Sequence, residues 1–292
     1  TFNRLDLFKK VIAGLRNQSR LPDKIIVINN TSTDGTEQWL ESQSDLTVFK
    51  QENLGSSGGQ WRGVKEAYNL GADYIWIMDD DVVAEPNCLE VLCKYLDVNK
   101  IIAPARVSPK GEHILCDTIK VNMKNPFKNI WTRILKEEGF ENELISAEAI
   151  AFDGQIVHRQ LVEKIGLPQK NFFIFADDTE YCLRAMKHNF KVYIARDAIL
   201  NRLLELPENE TEFNWKHYYM IRNVIALDVM YGSFLVRWIR PWAYLISWLG
   251  KNSLALRMRS CKPSSAVSWG MMSHKFFPKK DFAGALATGC LG

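Results

Sequence analysis

Apolar positions along the first hundred residues alternate between two periods. Residues 5–17 (LDLFKKVIAGLRN) repeat at helical spacing. Lys24–Ile28 (KIIVI) is a short β-branched run that stops at Asn29-Asn30, the pattern of a buried strand. Thr31–Gly35 reads as a turn, with Asp34 or Thr33 capping a helix over 36–43. Leu46–Lys50 is a second strand, and Asn53–Gly59 (NLGSSGG) is a glycine-rich loop ahead of a helix from Trp61 to Leu70. Asp73–Met78 (DYIWIM) is a strand running into Asp79-Asp80-Asp81, and a helix follows from Pro86 to Leu96. Strands separated by helices predict an α/β fold with a mostly parallel central sheet. Ligands of such sheets bind beyond the carboxyl ends of the strands. Asn29, Asn53 and Asp79–Asp81 all sit at such ends, so they should converge on one cleft.

The middle of the chain is mixed. Ile101–Val107 is a strand pattern, residues 117–145 are irregular and polar, and Ala149–Val157 is again strand-like. Arg159–Ile165 is helical and is stopped by Gly166-Leu167-Pro168. Phe172–Phe175 reads as an aromatic strand ending in Asp177-Asp178, followed by a helix over 179–188 and a strand at Lys191–Ala195. Helices are predicted over 212–230 and 234–249, and the last thirty residues carry no clear period. The chain opens on Thr1-Phe2-Asn3-Arg4 directly before its first helix, and a strand is expected ahead of them.

Composition changes this picture in two places. With 47% hydrophobic and 24% charged residues the chain is neither disordered nor fibrous. Cys88, Cys93, Cys116, Cys182, Cys261 and Cys290 form no CxxC pair or finger spacing, so free thiols in a reducing compartment are expected. No signal-peptide pattern and no uncharged apolar run of about 18 residues is present, which predicts a cytoplasmic chain without a membrane-spanning helix. The net charge of +3 hides an asymmetry: residues 229–292 hold nine Lys and Arg against one acid, and the remainder is net acidic. That end also holds Trp238, Trp242, Trp248 and Trp269. A basic, tryptophan-rich end on an acidic body fits an anionic membrane surface, reached through residues 231–249 if they form a one-sided helix; a buried core helix interrupted at Pro241, or a dimer interface of the aromatics near 218–248, fits the same residues. The basic end fits nucleic acid less well, because no reader motif is present.

Three constellations carry candidate chemistry. In Ile75–Asp81 three carboxylates follow an apolar strand, and Asp79 and Asp81, two residues apart, can face the same way. A divalent cation with a taste for hard oxygen, Mg2+ or Mn2+, would relieve their repulsion and could bind a diphosphate; a solvated acidic turn is the plain alternative. Phe172–Glu180 (FFIFADDTE) again sets acids at an apolar strand end. A carboxylate against aromatic walls has a raised pKa and can serve as a base; the alternative is a helix cap, with Glu180 and Arg184 forming an i,i+4 pair. The loop NLGSSGG with Arg62 offers backbone amides and a helix N-terminus to an anion. It is neither a P-loop nor GxGxxG.

Five pieces in this order, Thr1–Arg4, Ile28–Thr36 (INNTSTDGT), NLGSSGG, Met78–Asp81 and FFIFADDTEYCLR, resemble family 2 glycosyltransferases with the GT-A fold. The nearest resemblance is to bacterial galactofuranosyltransferases and related rhamnosyltransferases, with His217-Tyr218-Tyr219 and Arg222-Asn223 also similar. The resemblance implies a GT-A domain whose residues 1–100 bind the nucleotide-sugar. Residues 101–205 would carry the acceptor site and base, and a helical, basic extension would cover 206–292. It implies that Asp79 and Asp81 are the DxD pair, that Asp80 lies with them at the donor, and that Asp178, beside Asp177, is the catalytic base. Thr1, Asn3, Arg4, Asn29 and Asn30 would line the nucleotide pocket, and Asn53, Gly58, Gly59 and Arg62 would sit near the donor sugar and diphosphate.

Two departures stand out. The family writes Asp-Asn where this chain has Asn29-Asn30, which keeps hydrogen bonding and loses a charge. The family also places a metal-binding histidine where this chain reads Ala198-Ile199-Leu200-Asn201-Arg202, so Asn201 is the expected third ligand of Mn2+ or Mg2+, with His188 or His217 as substitutes. The implied reaction is inverting transfer of galactofuranose or rhamnose from a UDP- or dTDP-linked donor. The acceptor would be a hydroxyl of a cell-surface glycan or its lipid-linked precursor. A degenerate, non-catalytic binder of nucleotide-sugar or glycan is the main alternative. A metal-dependent phosphohydrolase is a weaker one, because five scattered histidines form no ligand cluster.

Overall fold

The computed structural model describes residues 1–114, 119–133, 140–205 and 214–246. They divide into two compact units. The first comprises residues 1–121, 131–173 and 177–206, and the second residues 122–130, 174–176 and 207–292. Cys116, Cys261, Cys290, Trp248, Trp269 and the tail cations beyond Arg240 lie outside the described residues.

In the first unit, α1 (Leu5–Arg16) buries Phe8, Val11 and Ile12 at helical spacing. Phe8 meets Trp39 of α2 (Thr36–Glu41) edge-on, with ring centroids 5.8 Å apart. Asp34 ties both helix starts: it accepts from Leu5 N at 2.9 Å and from Thr36 N at 3.2 Å. β1 (Ile25–Asn29) and β2 (Leu46–Lys50) pair in parallel. The expected glycine-rich loop is not a loop beyond Leu54, because α3 (Gly55–Asn69) absorbs its glycines into the first helical turns. Asn53 Oδ1 accepts from Gly55 N at 3.0 Å and starts that helix.

The remaining strands of this unit are β3 (Tyr74–Trp76), β4 (Val82–Ala84), β5 (Lys100–Val107), β6 (Ile119–Val121), β7 (Trp131–Arg133), β8 (Leu144–Ala147), β9 (Ile156–His158) and β10 (Lys191–Arg202). Six of them form one sheet in the order β3-β9-β5-β10-β4, with β8 also on β10. The sheet is mixed, not mostly parallel: only β5 and β10 run together, and β3–β9, β5–β9, β8–β10 and β4–β10 are antiparallel. Parallel neighbours need a long crossover. Here β8 and β9 come back without one. β10 is the spine, longer than the Lys191–Ala195 stretch expected, and passes an irregularity between Ala195 and Ile199.

One face of the sheet packs Val64 and Ala67 of α3, Leu161 and Val162 of α5 (Arg159–Ile165), and Tyr181, Cys182 and Ala185 of α6 (Asp177–Lys187) around Ile101, Ala103 and Val192. The other face covers Ile102, Ile156 and Leu200 with Cys88, Leu89 and Leu92 of α4 (Cys88–Cys93). Burial of this kind, roughly 25 cal/mol per Å2 of apolar surface, fixes the register that positions the strand ends. Cys88, Cys93 and Cys182 are free thiols.

In the second unit α7 (Trp215–Tyr231) starts on a capping box of Asn214 and His217. A second helix covers 234–246 and runs through Pro241. Its Arg240, 2% exposed, is not part of a solvated basic face. It donates to Asp228 Oδ1 at 2.8 Å and to the carbonyls of Asn122 and Asn125 at 2.7 and 2.8 Å. No helix among the described residues is long and apolar enough to cross a membrane.

Candidate active site

β3 ends at Trp76, and Ile77 leads the chain off the sheet towards Asp79. Ile77 exchanges backbone hydrogen bonds with Gly154 and Gln155, both 2.7 Å, so the loop 150–155 lies against the acidic turn. The expected strand Ala149–Val157 breaks here, because Gly154 has φ +83° and a Cβ on it would strike the Pro104 ring. This loop delivers Asp153, which the sequence reading passed over. One carboxylate oxygen each of Asp79, Asp81 and Asp153 lie within 4.8 Å of one another.

Cations and amides surround the three carboxylates. Arg4 donates to Asp80 Oδ1 at 3.1 Å and Asp81 Oδ2 at 2.9 Å. Arg202 reaches both Asp81, at 3.8 Å, and Asp153, at 3.6 Å, and Arg106 pairs with Asp153. Gln60, one turn into α3, donates to Asp79 Oδ1 at 2.5 Å. Burial, then the charges of Asp81 and Asp80, push the Asp79 carboxyl up to about 6, against the pull of Arg106 and Gln60. The donor set is all carboxylate oxygen, which Mg2+ and Mn2+ accept. Asp153 also keeps one buried oxygen, Oδ1, without a hydrogen-bond partner. These residues therefore fit a divalent cation.

Gln60, Arg106, Asp153 and Arg202 were not singled out by sequence. The available signals were an acid inside the apolar run AIAFDGQIV and an arginine inside the buried strand IIAPARV.

The second acidic pair is built differently from its expected aromatic strand. A short 3-10 turn covers Lys170–Phe172, and Phe173, Phe175 and Ala176 then take φ of 65°, 67° and 65°. Left-handed backbone cannot extend a strand, so the chain coils sharply into α6 at Asp177. Asp178 Oδ1 accepts from Thr179 N at 2.5 Å, and Trp131 Nε1 donates to Thr179 Oγ1 at 3.2 Å. Burial pushes Asp178 up to about 6, opposed by Thr179 and the charge of Arg106 and helped by that of Asp79. Burial and the Asp178 charge push Asp177 up to about 7. Asp178 therefore feels the charges of both Arg106 and Asp79. Glu180 and Arg184 form the expected i,i+4 pair at 2.9 Å.

The other expected residues divide. Asn30 N donates to Thr1 O at 3.0 Å, Thr33 N to Asn3 Oδ1 at 2.7 Å, and Asn30 Oδ1 accepts from Gln51 Nε2 at 2.7 Å, so the Thr1–Arg4 segment, Asn29 and Asn30 form one connected wall. Asn29 Oδ1 accepts from Ser32 N at 3.0 Å, a turn role that an amide fills. Asn53, Gly58 and Gly59 start α3. Arg62 pairs with Glu66 at 2.5 Å and lies over the Phe49 ring, so its contacts are on its own helix and β2 rather than at the acidic turn. Asn201 Nδ2 donates to Glu85 Oε1 at 2.5 Å. His217 is engaged in the α7 cap, and His188 is exposed.

The sequence profile of glycosyl transferase family 2 matches residues 1–166, more than half of the chain. The chain belongs to glycosyl transferase family 2. Among family 2 relatives, the galactofuranosyltransferase GlfT1 of Mycobacterium tuberculosis is 29% identical over 206 residues, 68% of this chain and 66% of its own length. GlfT1 of Mycolicibacterium smegmatis is 26% identical over 197 residues, 64% of this chain and 63% of its own. The chain thus spans just under two thirds of these relatives. The O-antigen chain rhamnosyltransferase RfbN of Salmonella typhimurium is 24% identical over 68% of this chain and 63% of its own. Among solved structures, a mannosyltransferase from Pyrobaculum calidifontis, in complex with GDP-Man and Mn2+, aligns with a TM-score of 0.55 at 15% identity, over 99% of this chain and 77% of that one. GalNAc-T7 with UDP, GalNAc and Mn2+ aligns with a TM-score of 0.57 at 11% identity, over 96% and 51%. The fold of this family 2 member is GT-A.

Proposed function

We propose that the chain is an inverting glycosyltransferase that uses a nucleotide-sugar donor and a divalent cation. The observation that carries this reading is the occurrence in one unit of the half-buried Asp178 beside buried Asp177, and of the Asp79, Asp81 and Asp153 carboxylates within 4.8 Å of one another. The first can move a proton and the second can hold a cation. Asp178, kept near pKa 6, takes the proton from an acceptor hydroxyl as that oxygen attacks the anomeric carbon. Asp79 and Asp81 would hold Mn2+ or Mg2+, which when bound neutralises charge on a leaving diphosphate. Arg4 and Gln60 hold the acidic turn in place. The segment Thr1–Arg4 with Asn29 and Asn30 lines the nucleotide, and the start of α3 at Asn53, Gly58 and Gly59 faces the donor.

Similarity to GlfT1 and RfbN supports galactofuranose or rhamnose as the transferred sugar, from a UDP- or dTDP-linked donor, and a cell-envelope glycan or lipid-linked precursor as acceptor. The helix over 234–246 exposes Phe234, Leu235, Trp238, Trp242 and Ile246 along with Arg237. That chemistry suits an anionic lipid surface on the cytoplasmic side, where a lipid-linked acceptor would be presented. Co-sedimentation with phosphatidylglycerol vesicles at low salt tests this part. Vesicles that leave the protein in the supernatant exclude it.

The main test is a thermal-shift screen of UDP, dTDP, GDP and CMP, each with and without Mn2+. Binding to the native state alone raises the melting temperature. A metal-dependent shift with UDP supports a galactofuranosyl or related hexosyl donor, and one with dTDP supports rhamnose. No shift with any nucleotide excludes the reading.

A further inference from the structure

Asp153 has the surroundings of a ligand rather than of a structural acid. It is 5% exposed, and its loop is pinned on three sides. Gln155 Nε2 donates to the carbonyls of Ile150 and Ala151 at 2.7 and 2.8 Å, Ile77 pairs with Gly154 and Gln155, and Trp76 Nε1 donates to Gly154 O at 3.0 Å. Gly154 must be glycine for the turn to close on Pro104. A rigid loop therefore holds one carboxylate beside Asp79 and Asp81.

The two oxygens of Asp153 have different partners. Arg106 and Arg202 both approach Oδ2, while Oδ1 is buried with no hydrogen-bond donor. Leaving a buried carboxylate oxygen without a partner is costly, and such atoms are rare in native proteins unless something else satisfies them. Arginines that hold a carboxylate which also binds a metal are the kind of outer group that orients a metal ligand. Asn201, at the position where a third ligand was expected, donates its Nδ2 to Glu85, and its neutral Oδ1 is a weaker ligand for a hard cation than a carboxylate.

We infer that Asp153 is the third protein ligand of the divalent cation held by Asp79 and Asp81, with Arg106 and Arg202 steadying it through Oδ2. The inference rests on the metal-dependent reading above. It replaces a neutral side-chain ligand by an anionic one, so the site carries three carboxylates for one M2+. This favours hard, oxygen-seeking Mn2+ or Mg2+ over nitrogen-seeking Zn2+.

The test is a titration of Mn2+ against the full chain, read by the electron paramagnetic resonance signal of free Mn2+, with and without UDP. Asp153→Asn keeps an acceptor for the arginines and removes the anionic ligand. It should weaken Mn2+ at least about tenfold, the lower end of what disturbing a metal's supporting groups costs. Water-proton relaxation should rise per bound Mn2+ as a water fills the vacated position, which loss of a merely structural acid would not cause. Asn201→Ala should change Mn2+ affinity less than about twofold. Equal Mn2+ affinity in wild type and Asp153→Asn overturns the assignment, and weakening by Asn201→Ala alone transfers it to Asn201. Wild-type protein that binds no Mn2+ under either condition overturns the metal-dependent reading itself. If Asp153→Asn does not fold, an anomalous-scattering map of wild-type crystals soaked in Mn2+ decides. A peak bonded to Asp153 supports the inference, and a peak on Asp79 and Asp81 away from Asp153 overturns it.

Discussion

The two acidic turns, Asp79–Asp81 and Asp177-Asp178, follow similar apolar sequences but hold their charge in different ways. At the first, guanidinium groups lie directly on the carboxylates: Arg4 on Asp80 and Asp81, and Arg202 on Asp81. At the second, no ion pair reaches Asp177 or Asp178 among the described residues, and burial dominates, lifting them to about 7 and about 6. Local backbone follows the same division. The first turn leaves a short strand, while the second passes through three left-handed residues before its helix. Compensated anions suit a cation, and a desolvated carboxyl near neutral pKa suits proton transfer. Direct cationic contact marks Asp80 and Asp81, whereas Asp79, lifted to about 6, shares the desolvation that raises Asp177 and Asp178.

The sharpest way to break this comparison is to remove one carboxyl from the second turn. Asp178→Asn is expected to lower transfer by about 10^2 to 10^4, the range for losing a general base. The nucleotide-induced thermal shift should be unchanged. An equal loss of nucleotide binding would place Asp178 with the first turn instead.

The pH dependence sharpens the same contrast. With saturating donor and Mn2+, kcat should fall as pH is lowered and Asp178 gains its proton, with the midpoint below about 6 because the bound cation offsets the Asp79 charge that raises it. Stability moves the other way. Asp177 and Asp178 have folded pKa values above the unfolded one, so the folded state binds more protons between about pH 4 and 7. Their contribution to stability is therefore present at low pH and lost as pH rises through that window. Urea midpoints across the window, compared with the Asp177→Asn variant, test the sign.

Smaller effects probe the backbone around the second turn. Gly55 begins α3 at φ +73°, and a Cβ there would collide with the Phe173 carbonyl. Gly55→Ala should cost about 2 kcal/mol or more by strain and displacement, seen as a melting temperature several degrees lower. In the second unit Asn223 donates to the carbonyls of Ile174 and Phe175, both at 2.8 Å. Asn223→Ala should cost about 1 kcal/mol by removing two part-buried hydrogen bonds, measured by chemical denaturation.

Much of residues 1–100 was legible because the signals there are local. The periodicity of residues 5–17, the β-branched run before Asn29 and the strand at Leu46–Lys50 all formed within a residue or two of expectation. The helix Arg159–Ile165 ended where glycine and proline stop it. The turn before Asp177-Asp178 departs from the expected strand because FFIF has strand chemistry, and only φ values set by packing and by the sharp entry into α6 override it. The glycines 55, 58 and 59 were misread as a loop because glycine is a weak helix former, and Asn53 and the packing of Val64 and Ala67 outweigh that. Arg240 was counted with the solvated cations because nothing near it in sequence signals Asp228 and the two carbonyls that bury it.

By itself, then, the sequence determined most element types of residues 1–100, the α/β class, and the two acidic motifs with their order along the chain, because each depends on residues a few positions apart. Only the tertiary structure decided that the sheet is mixed, that Asp153, Arg106 and Arg202 join the first acidic turn, and that Arg62 turns to Glu66. Those facts depend on pairings such as Ile77 with Gly154 and β10 with β5, between residues 77 to nearly 100 positions apart. No local pattern encodes such pairings; burial of the sheet faces selects them.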